Sequence, residues 1–202
     1  MSEEGTIYIY PGSPRSALLE PLVKYLNLDI EVLDKNDPNF LKAFPLHKAP
    51  SFLSKDGWKL HEVLAVLEYL VSLKPDDKYK FFGEGKRERA QVFQWLSFTN
   101  TDFLTATGTY AFRSPTPEAK AAALVVVERN VDEFEQQLKK TPYLVGSQAT
   151  LADLFAANFF AKARAPFDKA WFAKHPALEK WFKKIADTDP VLSPVLKGTF
   201  QN

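Results

Sequence analysis

The chain has 202 residues, 26 Lys and Arg against 25 Asp and Glu, a formal net charge of +1, 46% apolar residues and no cysteine. Near-balanced charge gives no electrostatic reason to expect a nucleic-acid partner, whose affinity rests on phosphate neutralisation. Without cysteine there is no disulfide scaffold, thiolate zinc site, iron–sulfur cluster or catalytic thiol, and three scattered histidines (His47, His61, His175) argue against a metal site.

Taken in chain order, Thr6-Ile7-Tyr8-Ile9-Tyr10 is β-branched and aromatic and predicts a strand that Pro11-Gly12 ends. Residues 15–26 follow as a helix, with Ala17, Leu18, Leu22, Val23 and Leu26 at helical spacing, and Pro21 inside it predicts a kink or a locally irregular turn. A second short strand covers 29–33, and a helical turn covers 39–44 until Pro45 stops it. Residues 51–54 and 58–60 then read as a hairpin around Lys55-Asp56-Gly57. Residues 62–73 are apolar on nearly all sides, which marks a deeply packed helix. The order over residues 1–75 is β-α-β-α-β-β-α.

The polar, proline-containing stretch 76–85 reads as a linker, and beyond it only helical periodicity appears. Val92, Trp95, Leu96, Phe103 and Tyr110 lie along one long helix, and Leu124, Val127, Val131, Phe134 and Leu138 stripe a second. A helix over 151–163 and one carrying Leu178, Trp181, Phe182 and Ile185 complete an all-helical domain over 86–202. Aromatics form 14% of the chain, with 17 Phe and 4 Trp, concentrated after residue 80. They fit a helical core of large side chains or an apolar ligand cleft, and the two are compatible.

Three N-terminal features carry chemistry. Ala49-Pro50, just before a strand, reads either as an ordinary trans proline at a strand start or as a cis peptide that turns the Ala49 backbone outward, where an extended peptide can pair with it. Glu62 opens a helix, either as a partner of its dipole or, with the amides of residues 62 and 63, as the holder of an amino-acid head group. The turn Pro11-Gly12-Ser13-Pro14-Arg15-Ser16 can cap a helix or stabilise an anion such as a thiolate. In the C-terminal half, Thr150 and Asp153 form a capping-box variant with a structural role only.

These features, in this order and at these separations, resemble the cytosolic glutathione transferases. The resemblance covers residues 5 to 195 and implies a thioredoxin-like α/β N-terminal domain and an all-α C-terminal domain. Its marks are Lys48-Ala49-Pro50, Glu62, and Val145-Gly146 through Thr150-Leu151-Ala152-Asp153. Phe44-Pro45-Leu46-His47-Lys48-Ala49-Pro50 and Gln94-Trp95-Leu96-Ser97-Phe98-Thr99-Asn100-Thr101-Asp102 are similar to the fungal glutathione-transferase-like domain of the elongation factor one gamma subunit.

The resemblance implies glutathione as co-substrate and no metal. The His47-Lys48-Ala49-Pro50 loop would hold its cysteinyl and glycyl parts, and Glu62 with the Val63 amide its γ-glutamyl end. Ser13 and Arg15 match the thiol activator, with Tyr10 and Ser16 as alternatives. Tyr10, Phe103, Tyr110 and Phe112 would line the pocket for an electrophile, and Arg113 would meet an acidic substrate. The implied activity is addition of the glutathione thiolate to an apolar or conjugated electrophile, or glutathione-dependent isomerisation of a double bond. The alternative is a non-catalytic assembly domain that docks elongation-factor subunits. Because the chain starts with Met1 and ends at Asn202 without a lysine-rich linker or further domain, a stand-alone enzyme is the expectation. A homodimer follows from the family pattern. The acidic Ser2-Glu3-Glu4 start and the lack of a run of about 20 apolar residues point to a cytoplasmic protein without membrane contact.

Overall fold

In the computed structural model, which describes residues 5–74, 79–163 and 167–197, the chain divides into two units, Met1–Asp77 and Lys78–Asn202. The first contains β1 (Gly5–Ile9), α1 (Leu19–Leu26), β2 (Ile30–Asp34), α2 (Pro38–Ala43), β3 (Ser51–Ser54), β4 (Lys59–His61) and α3 (Val63–Leu73). Its sheet runs in the order β2-β1-β3-β4, with β1 parallel to β2 and antiparallel to β3, and β3 antiparallel to β4. This is the element order expected from the sequence.

Strand alternation divides the sheet residues between two faces. Ile7, Ile9 and Phe52 are buried on one, where Phe52 meets Tyr69 of α3 at 5.2 Å between ring centroids. Tyr8 points to the other and packs on α2, 5.3 Å from Phe40 and 6.2 Å from Phe44. Those three rings, with Leu33, Ala43, Ala49 and Leu53 around them, hold α2 on the sheet.

Helix α1 starts later than its apolar spacing predicts, at Leu19, after a run of turns. Pro21 is therefore its third residue. The first four amides of a helix have no intrahelical acceptor, so the proline there removes no helical hydrogen bond, and the irregular backbone lies in the turns just before Leu19. Helix α2 is fixed at its start by Asp37, whose side chain accepts from the Asn39 amide at 2.8 Å, and Pro38 takes the first position. It ends where Phe44, which precedes Pro45, turns extended.

The second unit contains α4 (Gly85–Phe98), a π-helical segment (Thr99–Phe103), α5 (Leu104–Phe112), α6 (Pro117–Lys140), α7 (Leu151–Lys162), α8 (Lys169–Phe172), α9 (Pro176–Thr188) and α10 (Ser193–Leu196). Helix α4, the π segment and α5 form one helical run, since the residues at both junctions keep right-handed helical dihedrals. The long helix read from the sequence is thus present, with a widened turn inside it. Its core is aromatic: Phe103 lies 5.2 Å from Phe134, 5.0 Å from Phe159 and 4.8 Å from Phe160.

The expected linker 76–85 lies partly outside the described residues. Its described part packs into the second unit: the buried Tyr79 hydroxyl donates to Asp189 Oδ2 at 2.9 Å, and the Phe81 carbonyl accepts from the Leu151 amide. Helix α9 is capped from a distance by the buried carboxylate of Glu135 in α6, which accepts from the Leu178 amide at 2.9 Å. Among the described residues no helix is long and apolar enough to cross a membrane.

The Thr150–Asp153 pair does what its spacing predicts and more. Asp153 is fully buried, and its Oδ2 accepts from both the amide and the hydroxyl of Thr150 at 2.9 Å. Its Oδ1 accepts from the Leu144 amide at 2.8 Å and from Trp181 Nε1 at 2.9 Å. One carboxylate thereby joins the start of α7, the preceding loop and α9. The loop turns at Gly146, whose φ of +63° is a conformation that L side chains rarely adopt.

Candidate active site

The α2 side of the sheet carries a cleft of about 660 Å³, of the size that ligand sites favour. Three elements build it. The loop from α2 to β3 contributes Ala43 through Pro50 except His47, the strand pair contributes Ser51, Lys59 and His61, and the β4–α3 junction contributes Glu62 and Val63. Arg15, from the β1–α1 turn, closes the lining.

The loop side is fixed by its own hydrogen bonds. The Ala49–Pro50 peptide is cis, the second of the two readings the sequence left open. The Ser51 hydroxyl, fully buried, donates to the Lys48 carbonyl at 2.9 Å. The β-ladder begins at Ser51, so the Ala49 amide and carbonyl take no part in it. At the other wall Glu62 precedes α3 with φ +72° and ψ +123°. A non-glycine residue held at positive φ costs free energy, of order 1–3 kcal/mol, and such strain gathers at ligand sites. It puts the exposed Glu62 side chain and the first amide of α3 at one corner of the cleft.

Electrostatically the cleft is cationic. Arg15, Lys48 and Lys59 face one carboxylate, Glu62, with His61 beside it. Burial lowers the Arg15 pKa from its ordinary value, and the Glu62 carboxylate opposes that change. The guanidinium remains charged at neutral pH. A half-buried cation opposite a carboxylate-bearing helix start suits a ligand with anionic groups at more than one place and an ammonium at one end.

Six of the residues singled out from the sequence therefore meet in one space: Arg15, Lys48, Ala49, Pro50, Glu62 and Val63. Others do not line it. Ser13 turns its Oγ back to accept from the Arg15 amide at 3.3 Å, and Ser16 is fully buried, its Oγ accepting from the Tyr10 amide at 3.0 Å. Both serines fold the turn that presents Arg15. The turn also precedes α1 instead of forming its first turn, so the expected helix N-terminus is not at Ser13. Tyr10 is 50% exposed, with Lys35 Nζ 5.2 Å from its ring centroid. His47 adopts φ +49°, and its Nε2 lies 3.1 Å from the Leu41 carbonyl, which ties the ring back to α2.

The pocket expectation for Phe103 is corrected. Its side chain is 0% exposed and sealed among other rings of the second unit, since apolar helical spacing marks core and pocket alike. Tyr110, Phe112 and Arg113 lie at the end of the same helical run. Lys120 Nζ sits 4.9 Å from the Tyr110 ring centroid, Phe112 is 69% exposed and Arg113 is exposed. Sequence reasoning missed Lys59 and His61. Their signal was present, because they flank Leu60 at the period of two that puts alternate strand residues on one face.

Residues 3–72 match the family model for the glutathione S-transferase N-terminal domain, and residues 117–184 that for the C-terminal domain. Over 196 residues the chain is 33% identical to glutathione S-transferase Y-2 of Pichia kudriavzevii, covering 96% of this chain and 97% of that protein. The chain belongs to the glutathione S-transferase family. Within the family it is also 35% identical, over 98% of its length, to elongation factor 1-gamma 1 of Saccharomyces cerevisiae, of which it spans 49%. It therefore covers about half the length of that relative. The solved glutathione-transferase-like domain of elongation factor 1-gamma from S. cerevisiae superposes with a TM-score of 0.80 at 33% identity, covering 96% of this chain and 93% of that one. The α/β unit and the helical unit described above are the two parts of this family's fold.

Proposed function

We propose that the cleft binds reduced glutathione and that the chain transfers its thiolate to an apolar electrophile. The observation that carries this reading is the grouping of Arg15, Lys48, Ala49, Glu62 and Val63 around one space of ligand size. The Ala49 backbone would pair with the cysteinyl residue as an added strand, and Lys48 would take the glycyl carboxylate. At the γ-glutamyl end the Val63 amide would take the carboxylate, and Glu62 the ammonium. The Arg15 guanidinium would stabilise the thiolate, and the thiol proton would leave to solvent. In conjugation, sulfur donates its electron pair to the electrophilic carbon, and the leaving group departs with the electrons of the broken bond. On a conjugated double bond the same addition, followed by elimination, returns glutathione with the alkene isomerised. The two outcomes are separated by whether glutathione is consumed. A two-fold dimer and a cytoplasmic location belong to the same reading.

A conjugation assay over a panel of apolar electrophiles tests the activity, with free thiol followed alongside alkene geometry. Turnover of at least one substrate is expected, and none across the panel would remove the enzymatic reading. Glu62→Ala is expected to weaken glutathione binding by at least about 1 kcal/mol, roughly fivefold, through loss of a charge-assisted contact. Unchanged affinity in calorimetry would remove Glu62 from the site.

A second reading is supported by the 35% identity to elongation factor 1-gamma 1. The chain would then serve as an assembly domain for elongation-factor subunits, with or without glutathione in the cleft. Co-purification of such subunits with the full-length protein, together with an inactive cleft, would favour it.

A further inference from the structure

A second concavity of about 780 Å³ lies on the same face of the sheet, beside α2 and next to the cleft. Its floor is a cross-strand row given by the register: Glu31 of β2 pairs with Thr6 of β1, Thr6 with Leu53 of β3, and Leu53 with Lys59 of β4. The neighbouring row, Leu33–Tyr8–Ser51–His61, has its centre buried beneath α2, whereas in this row Thr6 and Leu53 are only half-buried and Glu31 and Lys59 are exposed. Helix α2 sits over the neighbouring row and flanks this one with Asn39, Lys42 and Ala43.

The groove is charged in opposite senses at its two ends. Asp29 and Glu31 stand at the β2 end, and Lys59, with Lys55 from the hairpin turn, at the β4 end, while Lys42 joins the lining from α2. From Glu31 to Lys59 the row crosses three interstrand spacings, about 14 Å. An extended chain covers that distance in about four residues.

We propose that this groove docks an extended segment of a partner protein that carries a basic residue and, about four residues away, acidic ones. The basic side chain would meet Asp29 and Glu31, the acidic ones Lys55 and Lys59, and the residues between would cover Thr6 and Leu53. The open, shallow floor suits a peptide crossing the strands, and the charge pattern sets its direction. Lys59 and Ala43 line both spaces, so the groove borders the glutathione cleft without depending on it.

The test uses the full chain and the peptide acetyl-Lys-Ala-Thr-Glu-Glu-amide, followed by amide chemical shifts. Two control peptides replace its lysine by glutamate or both its glutamates by lysine. Saturable shifts are expected at Thr6 and Leu53, with the dipolar peptide binding at least about fivefold tighter than either control. Glu31→Lys and Lys55→Glu are each expected to weaken it by a similar factor. Neither residue lines the cleft, and amide shifts that are unchanged away from the groove report that both variants are folded. Shifts absent from Thr6 and Leu53, equal binding of the three peptides, or variants that bind as the wild type does would each overturn the proposal. None of these results bears on whether the cleft takes glutathione.

Discussion

Asp153→Ala is expected to lower the unfolding free energy by about 3–5 kcal/mol, measured by urea denaturation at neutral pH. The carboxylate accepts four hydrogen bonds in a fully buried place, from the Leu144 amide, both donors of Thr150 and Trp181 Nε1. Truncation leaves those donors without their acceptor, and a buried unsatisfied donor costs about 1–3 kcal/mol. Asp153→Asn keeps the shape and one oxygen, so it should cost less than the alanine variant. A loss below about 1 kcal/mol for alanine would show that water or repacking replaces the carboxylate.

The same residue gives a pH dependence of definite sign. Burial pushes the Asp153 pKa up to about 6, against hydrogen bonds that lower it. In the unfolded chain the value is near 3.8. Between these two the folded state holds the proton more tightly, so Asp153's contribution to stability falls as pH rises from about 4 to 6 and is level above that. The Asp189 pKa is also raised, chiefly by burial, and changes wild-type stability in the same sense. Subtracting the profile of Asp153→Asn isolates the Asp153 part. A difference that does not change over that window would contradict the assignment.

Arg15→Ala is expected to lower kcat/KM for conjugation by about 100-fold and to raise the pKa of bound glutathione's thiol. Arg15 is the cleft-lining residue among those that matched the activator, while Ser13 spends its side chain on the Arg15 amide. Arg15→Lys should restore part of the rate, since charge without the planar fork retains some thiolate stabilisation. Ser13→Ala should change the rate by less than about tenfold, through the turn alone. If Ser13→Ala were the more damaging of the two, or Arg15→Ala left the thiol pKa where it was, activation would lie with the serine or elsewhere.

Sequence pattern carried the strand and helix order because each element has its own period and its own stop residue. It misplaced the start of α1, since Ala17 and Leu18 keep apolar spacing through turns that are not helix. The π segment Thr99–Phe103 left no mark because Leu96 and Phe103, seven residues apart, keep a two-turn helical spacing across it. The Lys48-Ala49-Pro50 loop was legible as a proline just before a strand and Glu62 as an acid at a helix start, whereas the positive φ at Glu62 was not, since nothing in a glutamate side chain calls for it. Which of Ser13 and Arg15 faces the cleft was not legible, because residues two apart in a tight turn point in directions that the turn's own hydrogen bonds decide. Phe103 failed for a related reason, as a ring on the inner face of a helix looks the same in sequence whether it meets a ligand or another ring.

Titration of the isotope-labelled chain with reduced glutathione, read from backbone amide shifts, tests the central claim most directly. The account predicts saturable shifts concentrated at Ala49, Glu62 and Val63. Shifts absent at saturating glutathione, or confined to residues outside the cleft, would contradict it.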